Sequence, residues 1–257
     1  MFKHYLSIRI LSVCTPICLF FSTCTKNADV SAGKLNTSVS DNANTIDLST
    51  CKMRNIIQDV GDEQQAALFS YNRAGNPYSV LYANNGTGNP DHYFLYDSKN
   101  RLREYDKRYG SFNVEQHKYG YNAGNQIVTD SMISREAGVH YESISTIEYD
   151  AMGRVIKETI VNTFNDSAPL ERTRRPTYTY DSRGNVAVAG WKSSSYDYKI
   201  NPLRQSSVFQ FIHRNYSMNN AAVQPKYNSR GLPLSAHPSN DYFFNSGVTY
   251  SIAYDCQ

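Results

Sequence analysis

Tyr149-Asp150-Ala151-Met152-Gly153-Arg154 and Tyr180-Asp181-Ser182-Arg183-Gly184-Asn185 are two copies of a phrase that this chain repeats after residue 70. Each copy has a tyrosine, a short polar turn and then an apolar residue. A unit that recurs in this way predicts a repeat architecture more firmly than any single residue does. The other copies begin at Tyr71, Tyr96, Tyr121, Tyr198 and Tyr227. The copy at Tyr121 is shorter by one residue, and the copy at Tyr198 is degenerate.

The residues around the tyrosine alternate in a way that is typical of β-strands. The position two before it is large and apolar or aromatic in most copies, as at Phe94 and Ile147, and the sixth residue after it is apolar, as at Leu102 and Val155. A period of two puts these residues on one face of each strand. Asp or Asn opens the turn, and Gly then supplies a positive φ. Each copy is therefore predicted to be a β-hairpin.

The predicted fold class is all-β, built of antiparallel hairpin repeats. The chain has 21 Tyr but one Trp, and aromatic residues make up 13% of it, a composition that favours strands. The spacing allows roughly 14 to 16 strands and no helix. A meander of this length is predicted to form a long twisted or curled sheet, or to close part-way into a barrel.

The N-terminus has the pattern of a targeting segment. Lys3 and Arg9 precede an apolar run over residues 10–21 that is too short to cross a bilayer. The run ends at Cys24 in a stretch that resembles a bacterial lipobox, which implies a signal peptide over residues 1–23 and a lipid on Cys24. The alternatives are an ordinary signal peptide cut near Ala28 and a short membrane anchor.

The rest of the chain divides in two. Residues 24–50 are rich in Ser, Thr, Asn, Ala and Asp and are predicted to be a flexible tether. Residues 51–257 form the repeat domain, bracketed by Cys51 and Cys256. In an exported chain these two cysteines are candidates for a disulfide, and the alternative is two buried free thiols.

The repeated phrase resembles the YD repeat of RHS-type and teneurin-type proteins over roughly residues 69–234. Together with Cys24, the whole chain resembles small cell-envelope lipoproteins of Bacteroidota whose function is unknown. The resemblance implies a hairpin-repeat architecture and an envelope location. It implies no particular activity.

No catalytic, metal or cofactor site is predicted. His92 and His117 occupy equivalent places in adjacent repeats, four residues before a motif tyrosine. Equivalent places lie two strands apart, about 9–10 Å, too far for the two rings to share one zinc ion easily. We expect both histidines at the surface or in capping positions. No serine lies in a nucleophile elbow, and we expect the protein not to be an enzyme.

Four residues are weak candidates for other sites. Trp191 and Tyr196 could stack on a sugar ring, although a lone Trp more often fills a core. Ser131 and Ser167 each follow an Asp and precede an apolar residue, a pattern that resembles acceptor sites for O-glycosylation in Bacteroidota. Both serines are expected in loops or at strand ends.

The expected function is that of a non-catalytic, lipid-anchored protein of the cell envelope, with the outer membrane as its site. Its β-repeat scaffold would present a structural or protein-binding surface. The alternative is a glycan-binding module that uses exposed aromatic residues, and a more remote one is a hydrolase. The expected partners are the membrane, through the lipid, and an envelope protein or glycan. Cleavage before Cys24 would remove Lys3 and Arg9 and lower the net charge from +3 to about +1, which gives no reason to expect nucleic acid. We expect a monomer.

Overall fold

The fold is known from a computed structural model. It describes residues 50–60, 63–85, 88–136, 139–164, 172–187, 196–221, 226–236, 243 and 250–256. The predicted signal peptide, including Cys24, and all of the predicted tether except Thr50 lie outside the described residues.

The described chain is almost entirely β, as its sequence predicts, with fifteen strands. They are β1 (Cys51–Val60), β2 (Glu63–Tyr71), β3 (Pro77–Tyr82), β4 (Asp91–Tyr96), β5 (Leu102–Tyr109), β6 (Phe112–Tyr121), β7 (Ile127–Glu136), β8 (Val139–Tyr149), β9 (Val155–Phe164), β10 (Arg172–Arg174), β11 (Thr179–Tyr180), β12 (Val186–Ala187), β13 (Lys226–Tyr227), β14 (Pro233–Ala236) and β15 (Tyr250–Cys256). A 3-10 helix (Pro202–Gln205) and one α-helix, α1 (Ser207–Ile212), come between β12 and β13.

Thirteen strands form one antiparallel sheet in the order β10-β9-β8-β7-β6-β5-β4-β3-β2-β1-β15-β14-β13. Strands β11 and β12 pair only with each other. The run from β1 to β10 is the predicted meander, and the sheet stays open within the described residues. The last strand, β15, pairs with the first, β1, and the disulfide between Cys51 and Cys256 joins two residues that face each other in that pair.

The turns form as the sequence predicts. In the copy at Asp150, one carboxylate oxygen accepts hydrogen bonds from the backbone N–H groups of Met152 and Arg154, both at 2.9 Å. Gly153 has a φ of +76°, and nothing lies within 4 Å of the place where a Cβ would be. This glycine is needed for its backbone conformation alone. Asn100 takes the same conformation, with a φ of 58°.

The motif tyrosines link each hairpin to the one before it. The ring of Tyr149 lies against the core, and its hydroxyl donates to the carbonyl of Ile127, the first residue of the preceding return strand, at 2.7 Å. We call this series of bonds the tyrosine ladder. The same bond, at 2.7 to 2.9 Å, is made by Tyr96, Tyr121, Tyr180, Tyr196 and Tyr254. Tyr71 belongs to the series too, and donates at 2.9 Å to the carbonyl of Met53, the third residue of β1.

Two copies of the phrase differ from the sequence prediction. The copy at Tyr121 is not shortened, because Asn125, with a φ of 61°, takes the glycine position one residue later than expected. The degenerate copy begins at Tyr196 and not at Tyr198. Tyr196 donates to the carbonyl of Val186, and the next residue, Asp197, accepts from the backbone N–H of Lys199 as a turn-opening residue does.

The prediction that the chain has no helix is wrong. Ser206 caps α1 by accepting from the N–H groups of Val208 and Phe209, which satisfies two donors that a helix start leaves free. Phe209 is fully buried against one face of the sheet, here called the inner face, and meets Phe69 and Phe94 edge-on with ring centroids 5.9 and 6.0 Å apart. Burying such a side chain contributes roughly 2 to 3 kcal/mol, which outweighs the weak helix propensity of six residues.

Candidate functional site

A polar cavity of about 390 Å³ lies between the inner face of strands β3 to β7 and the residues that follow α1. Alternate residues of each strand point into it, as the period of two requires. The side chains that the site uses are Tyr82, His92, Tyr105, Lys107, Glu115, His117, Tyr119, Asp130, His213, Arg214 and Phe243.

His117 is the centre of a charged network on the sheet side of this cavity. Its Nδ1 lies 2.8 Å from Asp130, and its Nε2 lies 3.1 Å from Glu115. Burial on its own lowers the pKa of this imidazole, but the hydrogen bonds to the two carboxylates outweigh it and raise the pKa to about 9. His117 is therefore charged at neutral pH and donates to both carboxylates.

Glu115 also binds a second cation. Lys107 Nζ lies 2.7 Å from the same carboxylate oxygen that accepts from His117. Burial opposes ionisation of Glu115, yet the hydrogen bond from His117 and the charge of Lys107 lower its pKa to about 2. Glu115 therefore stays ionised throughout the physiological range.

Arg214 connects the segment after α1 to the sheet. Its guanidinium lies 3.5 Å from Asp130 on β7 and forms an ion pair with Glu158 on β9, and it also donates to the carbonyl of Phe211. Burial lowers the pKa of this guanidinium, but the charge of Glu158 outweighs it and raises the pKa. Arg214 is one of three non-glycine residues of the described chain with a positive φ, here 50°.

His92, on β4, lies two strands away from His117 in the same sheet and is neutral. Its Nδ1 is 2.7 Å from the hydroxyl of Tyr105, and its ring packs against Tyr82 and Phe243. Burial, with a smaller contribution from the charge of Lys107, lowers the pKa of His92 to about 3. Burial also raises the pKa of Tyr105, so this pair is uncharged at neutral pH.

Two groups of the cavity wall have no hydrogen-bond partner in the part of the chain that the structure describes. Nε2 of His213 is buried without one. The hydroxyl of Tyr119 is also unbonded, although its ring packs against His117 and Phe211. Buried polar groups are almost always paired in folded proteins, so the unpaired Nε2 of His213 in a cavity wall indicates a place where something binds.

A second cavity, of about 330 Å³, lies where the tyrosine ladder meets the start of α1. Its wall includes Tyr121, Tyr149 and Phe211, and turn residues such as Arg101 form its rim. Arg101 lies over the ring of Tyr121 at 4.3 Å and is paired with Asp97 at 2.7 Å. Ladder and turn contacts account for most of these side chains, so we favour the first cavity as the functional site.

The site residues predicted from sequence fall in different parts of the molecule. Trp191 and Ser167 lie outside the described residues, as Cys24 does. Tyr196 is half-buried and belongs to the tyrosine ladder, and its use as a ligand contact stays a prediction. Ser131 is exposed, but it lies in the middle of β7 and not in a loop or at a strand end.

The expectation that His92 and His117 lie at the surface is wrong. Both point inward because a residue four positions before a motif tyrosine lies on the same face of the strand as the tyrosine itself. That signal was available in the sequence. Lys107, Glu115 and Asp130 were missed as site residues, since an inward position on a strand does not show which inward residues will share a cavity.

His213 and Arg214 were missed because the helix that presents them was not predicted.

Among the described residues, no three His, Cys, Asp or Glu side chains form a group able to hold a metal ion. No helix in the described ranges is long and apolar enough to cross a membrane.

The fold and its turn chemistry define the class of this protein as an all-β hairpin-repeat protein. No family model matches the chain, and no curated protein matches it significantly. Among solved structures, the chain is similar to one chain of the crystal structure entitled TcdB2-TccC3-Cdc42, with 10% sequence identity and a TM-score of 0.29. The match covers 81% of this chain but 12% of the other. The likeness is weak and adds nothing on function.

Proposed function

We propose that this chain is a non-catalytic, lipid-anchored binding protein of the cell envelope, and that the first cavity is its binding site. One observation carries the proposal of binding: within the described chain, the buried Nε2 of His213 has no hydrogen-bond partner, and it lies in the wall of a cavity whose charged groups are already paired. Such a wall is preorganised, so little ordering is required when a ligand enters. The envelope location and the lipid on Cys24 rest on the sequence pattern of the N-terminus.

The family proposed for the chain is the YD-repeat family of RHS type. The roles of the phrase support it, because the tyrosine, the Asp or Asn and the Gly each make the same contact in copy after copy. This regularity explains why the motif recurs without an activity attached to it. The repeats build a scaffold, and the cavity uses residues that lie between the phrases.

The chemistry of the cavity favours binding over hydrolysis. A hydrolase of the glycosidase type needs one carboxylic acid that is protonated near neutral pH and a second carboxylate nearby. Glu115 and Asp130 do converge on His117, but the lowered pKa of Glu115 keeps it ionised and unable to act as the acid. We therefore keep the hydrolase as the remote alternative.

Metabolic labelling tests the anchor. Cells that express the full chain are fed a fatty-acid analogue, and labelling of the wild type is compared with that of Cys24→Ala. We expect the label on the wild type alone. Equal labelling of both chains, or an unlabelled wild type, would reject the lipid anchor.

The non-catalytic role is tested with chromogenic glycosides and esters. We expect no turnover by the purified protein. Turnover that disappears in Glu115→Gln and persists in Glu142→Gln, where the carboxylate is exposed beside His140, would instead establish the hydrolase. A glycan array probed with the same protein tests the remaining alternative, a glycan-binding module.

A further inference from the structure

The acceptors in the wall of the first cavity are largely occupied. One oxygen of Glu115 accepts from both Lys107 and His117. Asp130 accepts from His117 and lies 3.5 Å from Arg214. A ligand that enters therefore meets two carboxylates whose charges are already paired with protein cations.

The donors of the same wall are less fully used. The ammonium group of Lys107 has three N–H donors and makes one ion pair, with Glu115. Within the described residues, the hydroxyl of Tyr119 makes no hydrogen bond and Nε2 of His213 is unpaired. A wall with spare donors, in which the carboxylates are already paired with cations, suits a ligand that brings acceptors.

The balance of charges in the cavity wall also favours a ligand that brings acceptors. Three cations line the cavity (Lys107, His117 and Arg214) against two carboxylates (Glu115 and Asp130). His92 and His213 add two neutral imidazoles near Lys107, and each can become a further cation. The ring of Phe243 packs against both imidazoles, with centroids 5.7 Å from His92 and 4.6 Å from His213.

We propose that the first cavity binds an anionic group, a carboxylate or a phosphate ester, carried on a small molecule with an apolar or aromatic body. Tyr119, Lys107 and His213 would donate to the anion, and Phe243 and Ile212 would contact the body. This proposal rests on the binding function proposed above and adds the chemical class of the ligand.

Binding of the anion is expected to take up a proton. Burial, and to a lesser degree Lys107, lowers the pKa of His213 to about 4, so the imidazole is neutral in the free protein at neutral pH. An anion beside it favours the charged form and raises that pKa. The titratable and charged groups that face the cavity with it are Tyr82, His92, Tyr105, Lys107, Glu115, His117, Tyr119, Asp130 and Arg214.

The test uses three probes of one size: phenylacetate, phenyl phosphate and the neutral phenylacetamide. Calorimetric titration of the purified wild type at about pH 5.5 and about pH 7.5 is expected to show saturable binding of an anion and none of the amide. The affinity for phenylacetate should fall by up to about tenfold for each pH unit, as uptake of one proton requires. Phenylacetate alone serves for this pH comparison, because a phosphate ester itself ionises at about pH 6. Comparison of the two anions distinguishes a carboxylate from a phosphate ester as the natural group.

Variants locate the site. Tyr119→Phe should weaken anion binding about tenfold at both pH values, because one hydrogen bond to a charged group is lost. His213→Phe keeps an aromatic ring beside Phe243 and should remove the pH dependence. The matched control is Tyr216→Phe, since Tyr216 lines the second cavity and its hydroxyl also makes no hydrogen bond in the described chain.

Several results would overturn the inference. They are equal binding of phenylacetamide and phenylacetate, no saturable binding of either anion at the lower pH, or anion binding that neither Tyr119→Phe nor His213→Phe alters. Binding of the amide alone would leave the proposed binding function in place and reject only the anionic ligand. Failure of the proposed envelope function would instead show in the Cys24 labelling, which does not depend on the ligand.

Discussion

A tyrosine of the repeated phrase combines an apolar ring with one polar atom, and the fold uses both. The ring of Tyr149 packs beside Ile147 and Val155, and the hydroxyl reaches the carbonyl of the preceding hairpin. Phenylalanine would supply the ring but leave that carbonyl without this partner. The choice of tyrosine in copy after copy therefore follows from the link between hairpins.

Tyr149→Phe is expected to lower the free energy of unfolding by about 1 kcal/mol, because one partly buried hydrogen bond is lost. The control is Tyr78→Phe, whose ring is 58% exposed and whose hydroxyl makes no hydrogen bond in the described chain. Urea unfolding of the two variants should separate them. Equal stability of both variants and the wild type would mean that the tyrosine ladder does not contribute to the fold.

His117 makes stability depend on pH. Its pKa is raised from about 6.5 in the unfolded chain to about 9 in the folded one, so its contribution is complete below pH 6.5 and is lost as the pH rises through 9. The loss should be at most about 3 kcal/mol. Urea unfolding between pH 6 and 10 should show this decline in the wild type.

His117→Gln should be less stable at pH 6 and should flatten the pH profile. His140→Gln is the control, because His140 is exposed beside Glu142 and touches no part of the cavity wall. A wild-type profile that stays level from pH 6 to 10 would show that His117 is not charged in the folded protein.

At the residue level, local chemistry could be predicted and distant partners could not. The roles of Asp150 and Gly153 follow from their neighbours within four positions, and the structure confirms them. Glu158 and Arg214 lie 56 positions apart, and nothing in the sequence between them indicates that they meet. The charged half of the site depends on such distant pairs.

Among the elements, α1 shows the limit of pattern reading. Its six residues are too few to display a helical period, and the aromatic residues Phe209 and Phe211 are equally common in strands. The signals that could have revealed it are polar caps: Asn201 before Pro202, and Ser206 before Val208. The hairpins, in contrast, repeat often enough for their type and spacing to be predicted.

Arg214 attaches this helical segment to two strands, and its loss is expected to be costly. Arg214→Met should lower the free energy of unfolding by about 3 to 5 kcal/mol at pH 7, because Glu158 would keep only a 3.4 Å hydrogen bond from Tyr178.

Arg54→Met is the matched control, since Arg54 and Asp255 form an ion pair with both side chains more than half exposed. Its effect on urea unfolding should be below about 1 kcal/mol. If Arg214→Met were as mild as Arg54→Met, the ion pairs of Arg214 would not hold the segment to the sheet.

For the whole molecule, the sequence predicts a long twisted or curled meander, or one that closes part-way into a barrel. Composition and the positions of Cys51 and Cys256 suggested that the ends lie together, and the structure confirms the disulfide. A disulfide between these cysteines ties the last strand, β15, to the first, β1, but the addition of β14 and β13 beyond β15 could not be predicted, because strand order depends on contacts across the whole chain.

Loss of the disulfide should destabilise the entire domain. It closes a loop with a sequence separation of 205 residues, and removing it should cost about 3 to 5 kcal/mol through the greater freedom of the unfolded chain. Urea unfolding with and without a reductant measures the effect. A double variant, Cys51→Ser with Cys256→Ser, should match the reduced wild type and be insensitive to the reductant. If the double variant and the reduced wild type differed in stability, the two cysteines would contribute to the fold by something other than the disulfide.

The pairing of β1 with β15 also has a consequence for how the protein is made. A ribosome or an export channel releases the chain from its N-terminus. Strand β1 therefore emerges before the other strands of the sheet, and β15, its neighbour on the side away from β2, emerges after them. The edge of β1 that pairs with β15 stays unpaired while the hairpins between these two strands form. An unpaired strand edge can pair with other chains. The first strand of this domain to emerge, β1, is thus the last to be paired on both edges. Its exposure to aggregation lasts until β15 arrives.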